Sequence, residues 1–322
     1  MGARVTGATP SGPAGTRSGP VGTVVAVVGP TAAGKSALSI ALAHALDGEV
    51  VNADSMQLYR GMDIGTAKLT PAERDGVPHH LLDIWEVTEP ASVAEYQRLA
   101  RAAVDDILAR GRVPLLVGGS GLYVRAVLER FEFPGTDPVL RERLERELAE
   151  VGPAPLYARL RAADPGAAES ILPGNGRRIV RALEVIELTG APFAASLPEP
   201  TPYYPSVQVG VDLDTAALDE RIALRVDRMW ADGLVAETRE LVGRGLPEGR
   251  TASRALGYQQ VLRFLAGELT ETEAHDETVR ATRRFVRRQR SWFRRDPRIH
   301  WLDSTDPDVI EAAVRLVPAA AR

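Results

Sequence analysis

Short apolar runs and helix-length amphipathic stretches alternate along the first third of the chain. Apolar runs that predict strands lie at Val24–Val28, Glu49–Asn52 and Val113–Val117. Stretches with helical periodicity lie between these runs, at Lys35–Leu46 and Val93–Arg110. Strands that alternate with helices are typical of a parallel α/β sheet. We therefore predict an α/β fold built on a parallel sheet.

The periodicity changes after the turn-like residues 133–135. Strand-like runs disappear over residues 138–190, where apolar residues recur at helical spacing. Residues 191–205 then contain five prolines, which predicts an irregular linker. A mostly helical segment therefore follows the first strands and ends at this linker.

Beyond the linker the strand pattern reappears. Alternation at Val207–Val211 predicts that the chain returns to the sheet. We therefore predict a core formed by residues 23–130 and 207–322, with a helical insert at 131–206. Residues 1–22 are rich in Gly, Ala, Thr, Ser and Pro and lack the apolar core of a signal peptide, so we predict a disordered tail there.

Composition excludes several kinds of chemistry. The 322 residues include no cysteine, which rules out disulfides, thiolate metal ligands and cysteine nucleophiles. No apolar run approaches the roughly 18–20 residues of a membrane span. A charged fraction of 25% is ordinary for a globular protein. We expect a cytoplasmic monomer that does not bind membranes.

Positive charge is concentrated near the C-terminus. The net charge is −4, but residues 280–298 contain nine arginines and one aspartate, so this segment carries +8 and the rest of the chain −12. On a helix, one side is apolar and consists of Phe285, Val286, Trp292 and Phe293. The other side carries Arg283, Arg284, Arg287, Arg288, Arg290, Arg294 and Arg295. With little acid nearby in the sequence, we predict that the apolar side packs on the core. The arginine side is then expected to bind a phosphate backbone, in preference to anionic lipid.

A phosphate-binding motif follows the first predicted strand. Its residues, which we call the phosphate loop, are Gly29, Pro30, Thr31, Ala32, Ala33, Gly34, Lys35 and Ser36. Backbone N–H groups and a helix N-terminus in such a loop bind phosphate oxygens, and the lysine adds a compact positive charge. The Ser36 hydroxyl is placed to bind Mg²⁺. The motif predicts a diphosphate or triphosphate ligand.

An acidic residue follows the second predicted strand. Asp54 lies two residues beyond its end, at the edge of the sheet where ligands bind in α/β proteins. Its carboxylate is suited to hold Mg²⁺ indirectly or to act as a general base; the alternative is that it caps a following helix. Lys68, the only other lysine of the chain, lies downstream in a Gly-Thr-Ala-Lys run that we also expect to face phosphate.

Three further groups of residues are candidates for binding or catalysis. The run Gly118-Gly119-Ser120 stands where many nucleotide hydrolases have a metal-binding aspartate, and its glycines are expected to admit a bulky ligand. Arginines at 221, 225 and 228 share one helical face, for which a solvated surface is the simpler interpretation. The pair His79-His80 lacks the acidic neighbours of a metal site, so we expect a structural or substrate-lining role.

Taken together, these segments resemble the tRNA dimethylallyltransferase family, also called the tRNA isopentenyltransferase family. The segments that carry the resemblance are Gly29–Ser36, Asp54–Lys68, Pro78–Ile84, Val117–Tyr123, Arg177–Leu183, Arg254–Tyr258 and Arg283–Trp292. The resemblance implies a phosphate-loop fold with an inserted helical domain. It also implies transfer of the dimethylallyl group from dimethylallyl diphosphate to N6 of the adenine 3′ of a tRNA anticodon, with release of pyrophosphate. One departure is Gln259, where bacterial members often have arginine.

The resemblance also implies a role for each site residue. Catalysis would fall to Asp54, which takes the proton of the adenine amine, and to Lys35 and Arg225. The diphosphate would be bound by the phosphate loop with Arg221 and Arg225, and Mg²⁺ by Ser36. The tRNA anticodon arm would contact the insert and the following residues: Asp54, Ser55, Met56, Gln57, Ser120, Arg141, Arg177, Arg178, Arg181, Arg254, Gly257, Tyr258, Gln259, Arg283, Arg284, Arg287, Arg288, Gln289 and Arg290.

Three other functions use part of the same sequence. An ATP-dependent small-molecule kinase would share the phosphate loop, but it leaves the arginine segment unexplained and lacks the second aspartate. An adenylate isopentenyltransferase would use the same chemistry without needing the insert. A non-catalytic RNA-binding module would leave Asp54 and Lys35 without a role.

Overall fold

A computed structural model describes residues 22–193 and 201–319 of the chain. Residues 1–21 of the predicted tail and residues 194–200 of the predicted linker lie outside this range. Within the described part, the chain divides into two compact units. Unit 1 comprises residues 22–124 and 204–319, and unit 2 the described residues between 125 and 203.

A parallel sheet forms the centre of unit 1. Its six strands in the described residues are β1 (Val24–Val28), β2 (Gly48–Asn52), β3 (His79–His80), β4 (Val113–Gly118), β5 (Ser206–Asp212) and β6 (Ile299–Asp303). Their order across the sheet is β3-β2-β4-β1-β5-β6, and every neighbouring pair is parallel. The predicted parallel α/β fold is therefore confirmed. The sequence did not predict β3 and β6 because they are edge strands, one with only two residues and the other with polar residues among its apolar ones.

Helices surround the sheet and form unit 2. Those before residue 129 are α1 (Lys35–Leu46), α2 (Val93–Ala109) and α3 (Gly121–Leu128). Unit 2 contains α4 (Pro138–Val151), α5 (Pro153–Ala163), α6 (Pro165–Ser170) and α7 (Gly176–Thr189). The later helices are α8 (Thr215–Ala231), α9 (Leu234–Gly243), α10 (Tyr258–Leu265), α11 (Glu271–Phe293) and α12 (Val309–Leu316), with 3₁₀ turns at Leu246–Glu248 and Ala252–Arg254. No helix in the described ranges is both long and apolar enough to cross a membrane.

The sheet brings the chemistry-bearing loops to one edge. Strands β1, β2 and β4 are adjacent and parallel, so the loops that follow their carboxyl ends lie next to one another. These loops carry the phosphate loop, Asp54 and Ser120. The strands themselves are fully buried at residues such as Val25, Val27 and Leu115. Burial of each such side chain contributes about 1.5–3 kcal/mol, which makes the sheet a rigid support for the loops.

Unit 2 has a hydrophobic core of its own. Leu144, Leu156, Leu160 and Ile179 are fully buried within it. Helix α4 begins at a proline, and the side chain of Asp137 accepts hydrogen bonds from the first N–H groups of the helix. Unit 2 forms helices rather than strands because its apolar residues recur every three or four positions.

Candidate active site

Unit 1 contains a cavity of about 690 Å³ at the carboxyl edge of the sheet. The phosphate loop, the segment after β2 and α8 all contribute residues to its lining. Charged and polar lining residues include Lys35, Ser36, Asp54, Gln57, Asp63, Lys68, Arg221, Arg225 and Arg228. Many groups that the sequence singled out therefore meet in one cavity.

The phosphate loop has the backbone of an anion site. Gly29 has a φ of 142°, and a Cβ atom there would lie 2.2 Å from the carbonyl oxygen of Val211, so only glycine fits. Gly34 caps α1 with a φ of 98° and provides no side-chain hydrogen bond to the first turn. The N–H groups at the start of α1 are therefore available to an anion.

Lys35 lies in the cavity with a lowered proton affinity. Its Nζ donates a hydrogen bond of 2.8 Å to the carbonyl oxygen of Pro30, within the loop itself. Burial lowers the pKa of Lys35 to about 8; Asp54 acts in the opposite direction and Arg225 in the same one. The ammonium group is thus sensitive to pH in the alkaline range.

Asp54 caps a turn and keeps one oxygen for the cavity. Its backbone N–H donates to Oδ1 of Asn52, and its own Oδ1 accepts the N–H of Met56, both at 2.9 Å. The alternative that Asp54 caps a helix is wrong, because the next helix of the described chain begins at Val93. In the described structure no hydrogen bond engages Oδ2 of Asp54, which leaves this oxygen available as a base.

The three arginines on α8 line the cavity. The simpler interpretation of a solvated face is wrong for Arg225, which is half-buried, whereas Arg221 and Arg228 are exposed where they line the cavity. Nη2 of Arg225 donates a hydrogen bond of 3.0 Å to the carbonyl oxygen of Thr66. Burial lowers the pKa of Arg225 and Asp54 partly offsets this effect, but an arginine stays charged at physiological pH.

Lys68 is a structural residue, which corrects our expectation that it faces phosphate. Its side chain is 3% exposed, and Nζ lies 2.6 Å from a carboxylate oxygen of Asp63 and of Asp83. It also donates a hydrogen bond of 2.9 Å to the carbonyl oxygen of Tyr59. Three protein acceptors therefore already occupy the three donors of the ammonium group.

The glycines at the end of β4 lie close to protein atoms, and Gly118 also lines the cavity, so the expectation that they admit a bulky ligand stays a prediction. A Cβ atom on Gly118 would lie 2.3 Å from the backbone of Ala53, and one on Gly119 would lie 2.4 Å from Nε2 of Gln289. Ser120 is half-buried and hydrogen-bonds with the hydroxyl and the N–H of Ser55, both at 3.3 Å. This contact joins the loop after β4 to the loop after β2.

The arginine side of α11, which Arg294 and Arg295 continue just beyond the end of the helix, divides into two stripes. At about 100° per residue, one stripe falls near 140–200° from Phe285 and the other near 260–300°. The first consists of Arg283, Arg287, Arg290 and Arg294, which lie within 4.0 Å of carboxylate oxygens of Asp212 or Asp219. The second consists of Arg284, Arg288 and Arg295, which are exposed. The expectation that little acid lies near these arginines is wrong for the first stripe, because β5 and α8 supply it.

The apolar side of α11 is only partly buried. Val286 and Phe293 are 2% and 3% exposed, as predicted for a side that packs on the core. Phe285 is half-buried. Trp292 is 39% exposed and lies against Gly121, so the prediction that its ring packs in the core is wrong.

Several predicted tRNA contacts have inward-facing side chains. Gln289 is 6% exposed; its amide accepts the N–H of Thr31 at 2.9 Å and donates to the carbonyl oxygen of Gly119 at 3.0 Å. Arg290 is held by Asp212, and Tyr258 is fully buried. Gly257 is also buried. These residues are therefore engaged in contacts within the protein or buried, whereas the neighbouring Arg254 and Gln259 are exposed.

The arginines of unit 2 behave in two ways. Arg141 and Arg181 both bind the buried carboxylate of Glu184. Burial alone would raise the pKa of Glu184, but the two arginines outweigh this effect and hold it below its usual value. Arg177 and Arg178, at the start of α7, are exposed.

His79 and His80 have structural contacts, as expected. Nε2 of His80 lies 2.7 Å from a buried carboxylate oxygen of Glu49, and Nδ1 of His79 lies 2.8 Å from the carbonyl oxygen of Val77. Across the described residues, no group of three or more His, Asp or Glu side chains is arranged to hold a metal ion.

The sequence did not reveal two groups that support the cavity. The carbonyl oxygen of Thr66 accepts hydrogen bonds from both Arg225 and Gln57. Glu237, on α9, accepts hydrogen bonds from the N–H groups of residues 63–65, which directly precede Thr66. The only sequence signal was Gly65, since a glycine often marks a close approach of two chain segments.

Comparison with known proteins places the chain in a family. The model of the IPP transferase family matches residues 57–296. A tRNA dimethylallyltransferase of Salinispora arenicola is 87% identical over 93% of this chain and 87% of its own length, and one of Thermobifida fusca is 68% identical over 91% and 94%.

Solved structures of two such enzymes also match this chain. A tRNA isopentenylpyrophosphate transferase of Bacillus halodurans matches with a TM-score of 0.68 and 42% identity, over 91% of this chain and 95% of its own. A eukaryotic dimethylallyltransferase acting on tRNA matches with a TM-score of 0.78 and 27% identity, over 91% and 77%. These matches confirm the resemblance found in the sequence. The chain belongs to the IPP transferase family, the family of the tRNA dimethylallyltransferases.

Proposed function

We propose that this protein transfers the dimethylallyl group from dimethylallyl diphosphate to N6 of the adenine 3′ of a tRNA anticodon, releasing pyrophosphate. The observation that carries the proposal is the meeting of the phosphate loop, Arg225 and Asp54 in one cavity of unit 1. Its relatives are named tRNA dimethylallyltransferases, and one structural neighbour is described as acting on tRNA. A phosphate site beside a carboxylate suits transfer of a diphosphate-activated group to an amine.

The phosphate side of the cavity would stabilise the leaving group. The bond between C1 of the dimethylallyl group and the bridging oxygen breaks, and its electron pair stays with the diphosphate. The growing negative charge meets N–H groups of the phosphate loop, the ammonium of Lys35 and the guanidinium of Arg225. Such preoriented donors stabilise charge in the transition state, and a guanidinium grips two oxygens at once. Arg221 lines the same cavity and would add a further charge.

Asp54 would act on the acceptor. The lone pair of N6 forms the new bond to C1, which leaves N6 positively charged with a proton to lose. Oδ2 of Asp54 accepts that proton, while Oδ1 holds the carboxylate in place through the N–H of Met56. A base positioned in this way contributes about 10²–10⁴ in rate.

Oxygen ligands suited to Mg²⁺ border the phosphate side of the cavity. The hydroxyl of Ser36 lines the cavity next to Lys35. Mg²⁺ commonly binds one or two protein oxygens and completes its shell with phosphate oxygens and water, so it needs no cluster of acidic residues such as the described residues lack. Ser36 would hold the ion together with the diphosphate, and the bound ion would neutralise part of the diphosphate charge.

Exposed and half-buried residues of both units would contact the anticodon arm. In unit 1 the candidates are Ser55, Met56, Gln57 and Ser120 near the cavity, and Arg254, Gln259, Arg284, Arg287 and Arg288 elsewhere. In unit 2 they are Arg177 and Arg178, with Arg141 and Arg181 partly exposed beside Glu184. An unpaired loop base costs least to unstack, which suits an adenine next to an anticodon. We further propose that the protein acts as a cytoplasmic monomer.

Labelled dimethylallyl diphosphate tests the proposal directly. The protein is incubated with Mg²⁺ and either tRNA, AMP or no acceptor, and transferred label is measured. We expect label on N6 of one adenine in tRNA and none on AMP. Transfer to AMP but not to tRNA would identify an adenylate isopentenyltransferase instead, and transfer to neither would contradict the proposed reaction.

A further inference from the structure

One wall of the cavity is held from the outside by a carboxylate of α9. The segment Asp63–Lys68 forms this wall, and Glu237 lies on its far side. Oε2 of Glu237 accepts the N–H groups of Asp63 at 3.2 Å and Ile64 at 2.8 Å. Oε1 accepts the N–H of Gly65 at 3.3 Å. A single side chain therefore satisfies three consecutive backbone donors.

Tyr258 completes this clamp. Its hydroxyl donates a hydrogen bond of 2.5 Å to Oε1 of Glu237 and accepts the N–H of Gly65 at 3.1 Å. A Cβ atom on Gly65 would lie 2.4 Å from the Tyr258 ring and 2.8 Å from Leu234, so the segment is in close contact with both. Burial raises the pKa of Tyr258, with Glu237 acting in the same direction, so the hydroxyl remains a donor.

The clamped segment ends at an oxygen that orients two site residues. The carbonyl oxygen of Thr66 accepts Nη2 of Arg225 at 3.0 Å and Nε2 of Gln57 at 3.2 Å. A shift of the segment would move this oxygen and release the guanidinium. Since an arginine binds phosphate well only in a fixed orientation, such a shift would weaken the diphosphate site.

We infer that Glu237, together with Tyr258, is a positioning residue that orients Arg225 for the diphosphate through the Asp63–Thr66 segment. The inference rests on the proposed function, since it assumes that Arg225 binds the diphosphate. It also gives Tyr258 an internal role in place of a contact with tRNA. Neither side chain touches the substrate.

Glu237→Gln tests this inference because two effects predict opposite results. Removing a negative charge near an anion site should strengthen anion binding if charge alone matters. An amide has only one acceptor oxygen, so it cannot hold all three N–H groups and the tyrosine, and loss of the clamp should weaken binding. We expect the Kd for inorganic pyrophosphate with Mg²⁺ to rise about tenfold. The Kd for tRNA should change less than about threefold, because exposed arginines elsewhere carry most of that affinity.

Glu240→Gln is the matched control. Glu240 lies one turn further along α9 and is exposed, so the variant makes the same charge change without touching the clamp. Tyr258→Phe is the second test, since it keeps the buried ring and removes only the hydroxyl; we expect a smaller rise in the same Kd. Both can be measured by calorimetry alongside melting curves.

The outcomes separate the inference from the proposed function. Pyrophosphate affinity in Glu237→Gln equal to that in Glu240→Gln would overturn the positioning role. Equal losses of pyrophosphate and tRNA affinity with a lowered Tm would show a merely structural role and also overturn it. If Glu237→Gln does not fold, unchanged affinity in Tyr258→Phe decides against the clamp. Failure of the wild-type protein to prenylate tRNA would instead contradict the proposed reaction itself.

Discussion

At the scale of single residues, the cavity combines groups whose charges depend on one another. Asp54 favours the charged form of Lys35, while burial and Arg225 oppose it. A carboxylate and two cations in one cavity can serve an acceptor and a leaving group at the same time. The roles proposed for Asp54 and Lys35 can therefore be separated by substituting each.

Asp54→Asn should reduce turnover far more than binding. The amide keeps the size of the side chain and its hydrogen bond to Met56 but cannot accept a proton, so kcat should fall about 10²–10⁴-fold. The Kd for tRNA, measured by filter binding, should change less than about threefold, within the range of one modest contact. Asp106→Asn, an exposed change on α2, is the control. Comparable losses in kcat and tRNA affinity would instead indicate a structural role for Asp54.

The lowered pKa of Lys35 predicts an alkaline limit to activity. Since its pKa is about 8 in the free protein, the amine loses its proton as the pH rises through that value. The kcat/KM for dimethylallyl diphosphate should therefore decline above about pH 8, as the pKa of the free enzyme dictates. Lys35→Ala should have a much lower kcat/KM, without the decline. The same alkaline limit in Lys35→Ala would assign it to another group.

At the scale of elements, α11 serves the core and the surface at once. Its inner residues hold the site: Gln289 bonds the phosphate loop and the end of β4, and Arg290 pairs with Asp212 at the end of β5. Its outer stripe, with Arg284 and Arg288, is exposed. A buried ion pair that loses one partner destabilises a protein by about 3–5 kcal/mol, so substitution of Arg290 would not report on tRNA binding alone.

Replacing the outer stripe should change the salt dependence of tRNA binding. In Arg284→Gln/Arg288→Gln, two phosphate contacts are lost, so the slope of log K against log salt should become shallower by about 1–2. Binding is measured between about 50 and 200 mM salt, a range over which such an affinity falls strongly. The control Arg98→Gln/Arg315→Gln makes the same change in charge on α2 and α12, where both arginines pair with a neighbouring glutamate. A slope equal to that of the wild type would refute the proposed phosphate contacts.

At the scale of the whole molecule, we propose that the two units have different roles. Every residue that lines the cavity belongs to unit 1, and unit 2 has a separate hydrophobic core. Unit 2 nevertheless carries Arg177 and Arg178, which we propose contact tRNA. Destabilising unit 2 should therefore weaken the binding of tRNA but leave the binding of the diphosphate unchanged.

Leu156→Ala should test this division. Leu156 is fully buried in unit 2, so the cavity left by the substitution should cost about 2–5 kcal/mol. We expect faster hydrogen exchange in α5 and α7 and weaker tRNA binding, with the Kd for pyrophosphate unchanged. Val139→Ala is the control, because Val139 is 78% exposed in the same unit. Loss of pyrophosphate affinity in Leu156→Ala alone would show that the two functions are not separable.

The sequence by itself determined what is encoded in short windows. Apolar periodicity predicted β1, β2, β4 and β5, and the motif at Gly29–Ser36 predicted an anion site, because both depend only on neighbouring residues. It also determined the family, through several motifs in a fixed order.

Only the tertiary structure decided which of these residues can bind a ligand and which are held by other groups of the protein. Gln289 bonds Thr31 from 258 positions away, and Glu237 bonds Gly65 from 172 positions away. Lys68 and Arg290 look like ligands for phosphate in the sequence, but folding brings carboxylates to both. Such pairs follow from packing between distant segments, and no local pattern records them.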